Sequence, residues 1–154
     1  MKEEKKKYVI PKISAKKLAQ NKVDKETGDI EMDAFWLAAE QELAKHPYCM
    51  ECGAFIPAYE TINDETGKVF LRGYRAATAH IFPKAIFPSV KAHYLNRLLL
   101  GADCGCHNKT HRLDTFSEMK VFPMAVNNFN QFKHLITEKH KYLWEFKNYA
   151  NGTI

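Results

Sequence analysis

Residues Thr78–His111 read TAHIFPKAIFPSVKAHYLNRLLLGADCGCHNKTH, and they set the architecture expected of the whole chain. His80 ends a β-branched and aromatic arm, Pro83 and Pro88 punctuate a loop, and Asn96 leads into the apolar run Leu98 to Gly101. A close thiol pair, Cys104 and Cys106, then turns the chain into a helix expected over His107 to Arg112, with His111 four residues after His107. Strand, loop, strand, turn and helix follow one another within a single short window.

A second thiol pair lies upstream, Cys49 and Cys52 in YCMECG. Cys-x2-Cys is the usual spacing for one half of a tetrahedral site, and Gly53 relieves the backbone of its tight turn. Cys104-Gly-Cys106 is tighter than usual, which leaves the fourth ligand open between Cys106 and His107. The four-thiolate set is preferred because it leaves His107 free. Paired cysteines in a reducing compartment favour metal ligation over disulfides, so structural Zn2+ is the expected ion.

His107 and His111, at i and i+4 on a helix, project to one face and can hold a cation through neutral imidazole nitrogens; the same spacing also suits a polar face with two exposed rings. His80 stands apart at the end of a β-arm. If the thiol site closes the loop, it faces the start of the His107 helix, where a neutral imidazole can take a proton from water. An Asn carbonyl accepting from the other ring nitrogen would fix the tautomer, and Asn96 is the residue expected to do so.

The flanks read as support for this centre. The length of 154 residues suits one globular unit of α+β class, with an N-terminal arm over residues 1–32, partly mobile, and a single domain over 33–154 that ends in helices. MKEEKKK at Met1–Lys7 reads as a solvated tail or a phosphate-contacting arm, Ser14 as the cap of a short helix through Gln20, and ETGD at Glu26–Asp29 as a turn. Asp33 should cap a helix that buries Phe35, Trp36, Ala39 and Leu43 before Pro47 ends it, with the aromatic pair read as core in preference to a base-stacking platform. Two strands are predicted next, about Phe55 to Ile62 and Val69 towards Ile81, joined by a turn at Asn63–Lys68. Downstream, Asp114–Lys120 reads as helical. Pro123 should open a helix burying Phe129, Phe132, Leu135 and Ile136, and Tyr142, Leu143 and Phe146 repeat at helical spacing.

Twenty-three Lys and Arg stand against 18 Asp and Glu, a formal charge of +5 that suits a polyanionic partner. Arg72, Arg75, Lys84 and Lys91 are the candidate phosphate contacts. With no signal-peptide core and no apolar run approaching roughly 18 residues, a cytoplasmic protein without a membrane segment is expected. The sequence leaves the oligomeric state open.

Together, Cys-x2-Cys, Ala-His-Ile beside a Pro-Lys loop, Asn before an apolar strand and Cys-His-x3-His resemble the HNH endonucleases of the ββα-metal class, in particular their zinc-containing members. The resemblance covers about Cys49 to His111. It implies a zinc-stapled ββα core with flanking helices and a metal-dependent hydrolase of DNA phosphodiester bonds. His80 would be the general base and Asn96 the residue that orients it. His107 and His111 would hold a catalytic Mg2+ or another divalent ion, and Cys49, Cys52, Cys104 and Cys106 the structural zinc. Products with 5′-phosphate and 3′-hydroxyl ends, and a phage or restriction context, are implied in the same way. Many members place Asp or His as a further metal ligand directly before the base; here that position is Ala79. The alternative is therefore a non-catalytic, zinc-stabilised nucleic-acid-binding protein, and a third reading is a structural protein whose zinc only holds the fold together.

Overall fold

The computed structural model describes residues 15–152, so Met1–Lys7 and Ser14, singled out above, lie outside the described residues. The architecture mixes helices with two small antiparallel sheets. Helix α1 (Ala15–Lys45) leads into β1 (Glu60–Ile62), β2 (Val69–Leu71), α2 (Arg72–Ala76) and β3 (Thr78–His80). A long loop reaches β4 (Arg97–Leu99), followed by α3 (Cys106–Lys109), α4 (Leu113–Ser117), α5 (Phe122–Phe132) and α6 (Lys141–Ala150). Among the described residues, no helix is long and apolar enough to cross a membrane.

Helix α1 is one continuous element, which corrects both the turn expected at Glu26–Asp29 and the helix start expected at Asp33. A single interior glycine such as Gly28 costs a helix only about 1 kcal/mol relative to alanine, too little to end it. Asp33 does not cap; its carboxylate meets Lys68 on the β1–β2 hairpin, 3.4 Å away. Phe35, Ala39 and Leu43, four residues apart, form the buried stripe, and the helix stops two residues before Pro47.

The second expected strand is broken in two. Val69–Leu71 pairs with Glu60–Ile62 around the Asn63–Lys68 turn, then the chain coils into α2 before resuming as β3. The backbone of residues 57–59 runs directly against Gly73. A Cβ on Gly73 would lie 1.9 Å from the Pro57 carbonyl oxygen, and the Arg72 and Gly73 N–H groups donate to Tyr59 and Ala58. Alternation alone could not signal that close approach.

β3 pairs instead with β4, Thr78 opposite Leu99, Ala79 opposite Leu98 and His80 opposite Arg97. Thr78, Ala79, Leu98 and Leu99 are buried, so this small sheet lies inside the core. The C-terminal helices cover the loop that joins its strands. Phe82 from that loop packs on Phe129, Phe132 and Phe146 with ring centroids 4.9–5.9 Å apart, and the Tyr142 hydroxyl donates to the Ile81 carbonyl. Helix α5 opens at Pro123 as expected but ends at Phe132; a 3₁₀ turn follows and leaves Leu135 exposed, correcting its place in the apolar face.

Candidate functional site

Two clusters flank the buried sheet. On one side, the Sγ atoms of Cys49, Cys52, Cys104 and Cys106 all lie within 4.8 Å of one another, in a cluster that could hold a metal ion. Among the described residues it is the one group of three or more potential ligands gathered this closely. Gly53 and Gly105 carry the two turns at φ +75° and +77°, a region that side chains with a Cβ resist. The Met50 N–H donates to Leu99, seating the first thiol loop on β4, while the Glu51 carboxylate accepts from Lys120 and Val121 at the start of α5.

The thiols divide electrostatically. Burial pushes Cys49 up, but the N–H donors of Cys52, Gly101 and Glu51 outweigh it and bring the group down to about 7. Burial and the neighbouring thiols drive Cys106 far the other way, and burial also raises Cys104. Four sulfurs so close cannot share negative charge without a cation among them. His107 is no part of this set, and of the two candidates for a fourth ligand it is Cys106 that lies with the other three thiols.

On the other side, His80, His107 and His111 line a single cleft of about 210 Å³ with Pro83, Lys84, Ala85 and Thr110. No carboxylate lines it among the described residues, so Lys84 makes the cleft attractive to anions. The His107 and His111 rings are 5.4 Å apart, although α3 ends at Lys109 and His111 sits on the turn beyond it rather than on the helix as expected.

Backbone carbonyls fix the tautomers. A carbonyl only accepts, so His107 Nδ1, 2.6 Å from the Ala76 oxygen, carries the proton and leaves Nε2 with a lone pair. His80 is arranged in the opposite sense: Nε2–H donates to Lys91 at 3.0 Å, and Nδ1 holds the free lone pair. The His80 ring stacks on Phe35 of α1 at 4.9 Å and 18°, with Trp36 edge-on at 5.9 Å. Burial, assisted by the charges of Lys84 and His107, brings His80 down to about 4 even though the Lys91 carbonyl favours the charged form. Burial lowers His107 as well. Both rings are therefore neutral near pH 7.

Asn96 does not orient His80 in the way expected. It is wholly buried, and its amide is spent on the loop: Oδ1 accepts from the Phe82 N–H at 2.7 Å, while Nδ2 donates to the Phe82 and Val90 carbonyls, both at 3.0 Å. It fixes the loop whose Lys91 carbonyl holds the ring, one step removed from the imidazole. Sequence reasoning missed Lys91 in this capacity because a backbone oxygen has no signature.

The basic residues separate. Lys84 is in the histidine cleft and Lys91 supplies its carbonyl there. Arg75 is paired with Glu40 at 2.7 Å and lies over Phe70, whereas Arg72 faces a different, largely apolar cavity of about 480 Å³ beside Cys104. Arg72 and Arg75 therefore do not join the histidine cleft. No family model, curated protein or solved structure matches this chain.

Proposed function

We propose that this chain is a metal-dependent endonuclease of HNH type, with a structural zinc on the four thiols. The observation that carries the reading is the convergence of His80, His107 and His111 on one cleft, with their ring nitrogens sorted by the Lys91 and Ala76 carbonyls. Four sulfurs at mutual distances within 4.8 Å suit tetrahedral zinc, whose bonds to sulfur are about 2.3 Å. The two imidazoles of His107 and His111 suit a divalent ion on the opposite side, with Nε2 of His107 as one donor. Such an ion would polarise a bound phosphate and stabilise the oxygen that leaves.

The protein groups act around the phosphate. Lys84 attracts the phosphodiester and screens its charge. His80, neutral and with Nδ1 unprotonated, takes a proton from water as the oxygen attacks phosphorus, and the P–O3′ bond breaks, the departing 3′ oxygen taking a proton from solvent to leave 5′-phosphate and 3′-hydroxyl ends. The Lys91 carbonyl holds the ring and favours the imidazolium that results.

Plasmid nicking with Mg2+, Mn2+ or Ni2+ tests the reading. Cleavage is expected with at least one ion, and His80→Ala should slow it by about 10²–10⁴-fold. Intact plasmid with every ion, or undiminished cutting by His80→Ala, would overturn it. Ala79 supports a second reading, a zinc-stabilised nucleic-acid-binding protein that does not cut. Its side chain is buried in the sheet, so this position offers the cleft no third ligand. Salt-sensitive nucleic-acid binding without cleavage distinguishes that case.

A further inference from the structure

A second groove, of about 690 Å³, runs between α1 and the β1–β2 hairpin, lined by Trp36, Lys68, Phe70, Arg75 and Lys84 among others. Its floor differs from the core packing expected for the aromatic pair of α1. Phe35 is buried against His80, whereas Trp36 keeps part of its surface open and has Arg75 and Lys84 at 5.9 Å and 5.6 Å from its ring centroid. Both cations lie over the ring, and an indole grouped with cations in this way offers an unstacked base an aromatic partner and the neighbouring phosphates positive charge.

The charge balance selects the ligand further. The two carboxylates in the groove are already answered, Glu40 by Arg75 at 2.7 Å and Asp33 by Lys68 at 3.4 Å. Lys84 has no carboxylate partner among the described residues. It also lines the histidine cleft, so groove and cleft adjoin at this one ammonium. Bases in a duplex have their faces covered by their neighbours and cannot use such a platform.

We infer that the groove binds a single-stranded nucleic-acid segment, one base stacked on Trp36, and leads it past Lys84 into the histidine cleft. The inference rests on the endonuclease reading for what happens in the cleft, while the binding itself requires no cleavage. The substrate class is then unpaired or flapped strand rather than uniform duplex.

The chain holds two tryptophans, and Trp144 is 71% exposed on α6, so Trp144→Phe leaves Trp36 as the single reporter. In that full-length background with His80→Ala, and without added divalent ion, a 12-nucleotide oligo(dT) should quench the Trp36 emission in a salt-dependent titration. Trp36→Leu should weaken oligo(dT) binding, followed by anisotropy of a labelled strand, about tenfold or more, and change affinity for a duplex of the same length less than twofold. Absence of quenching, equal affinity in Trp36→Leu, or equal losses for duplex and single strand would overturn the inference. The quenching measurement leaves Trp36 unaltered, so it decides the matter even if Trp36→Leu does not fold. Plasmid nicking combined with absent quenching would sink the groove alone, whereas quenching without nicking would sink the nuclease reading alone.

Discussion

The two sheets of this protein are the same size and meet opposite fates. Each is a pair of three-residue antiparallel strands, yet β3–β4 is buried between the thiol cluster and the C-terminal helices, while β1–β2 exposes Glu60, Ile62 and Val69. A two-stranded ribbon is marginal alone, so what surrounds it decides its stability. The covered ribbon holds its neighbours where a histidine can be aimed. The exposed one, joined to α1 through Lys68–Asp33, forms the wall of a groove.

The sharpest way to break this contrast is to open the thiol cluster. Structural zinc in small domains is worth about 10 kcal/mol or more, comparable with the whole stability of an ordinary domain. Cys52→Ser should therefore release one equivalent of metal and abolish cooperative unfolding of the buried sheet, read by metal analysis and circular dichroism. Metal-free protein that melts like the parent would remove the zinc proposal.

Next comes Asn96→Ala. It strands the buried N–H and carbonyl of Phe82 on the loop joining β3 to β4, while the Val90 carbonyl keeps the His93 N–H, at about 1–3 kcal/mol for each group that finds no new partner. A loss of about 3 kcal/mol is expected in urea unfolding, with hydrogen exchange rising first around Phe82 and leaving β1–β2 unchanged. A loss below about 1 kcal/mol would mean that the loop is held by its aromatic packing alone.

How much of this was legible in the residues follows the same division. Thiol and imidazole positions were readable because ligand chemistry permits few residue types at short spacings, and Cys49, Cys52, Cys104 and Cys106 do converge. Helix α5 was readable from Pro123 and the spacing of Phe129 and Phe132, and α6 from the spacing of Tyr142, Leu143 and Phe146. The partner of Asn96 was not, since an amide's hydrogen bonds are set by which loop folds over it. Nor was the break at Arg72, which depends on a carbonyl of residue 57 pressing on Gly73. Trp36 reads as core with Phe35 in the sequence because adjacent helical positions differ by about 100° in direction, and spacing does not say where the buried stripe ends.

Acid should act on the covered region first. His80 falls to about 4 in the folded protein, whereas an unfolded imidazole titrates near 6.5. Below 6.5 the unfolded chain therefore binds the extra proton, and the stability owed to this group is fully present above that pH and lost as pH falls towards 4. Urea midpoints should decline over this window, and the decline should be shallower in His80→Gln. An NMR titration placing His80 near 6.5 would show that its burial against Phe35 is not maintained in solution.

The smallest effect belongs to the exposed ribbon. Lys68 and Asp33 are 72% and 60% exposed at their side chains, and ion pairs of this kind contribute about 0–1 kcal/mol, screened further by salt. Lys68→Ala should change the unfolding free energy in urea by no more than a few tenths of a kcal/mol, and a double-mutant cycle with Asp33→Ala should leave a coupling below about 0.5 kcal/mol. Its consequence is local instead. With this tie to α1 cut and the Leu71 N–H to Glu40 bond remaining at the far end of β2, backbone exchange should quicken towards the Asn63–Lys68 turn while Thr78–His80 and Arg97–Leu99 keep their protection. Faster exchange in both sheets would mean that the ribbons open as one unit, and the hairpin could not then be an independently hinged wall of the groove.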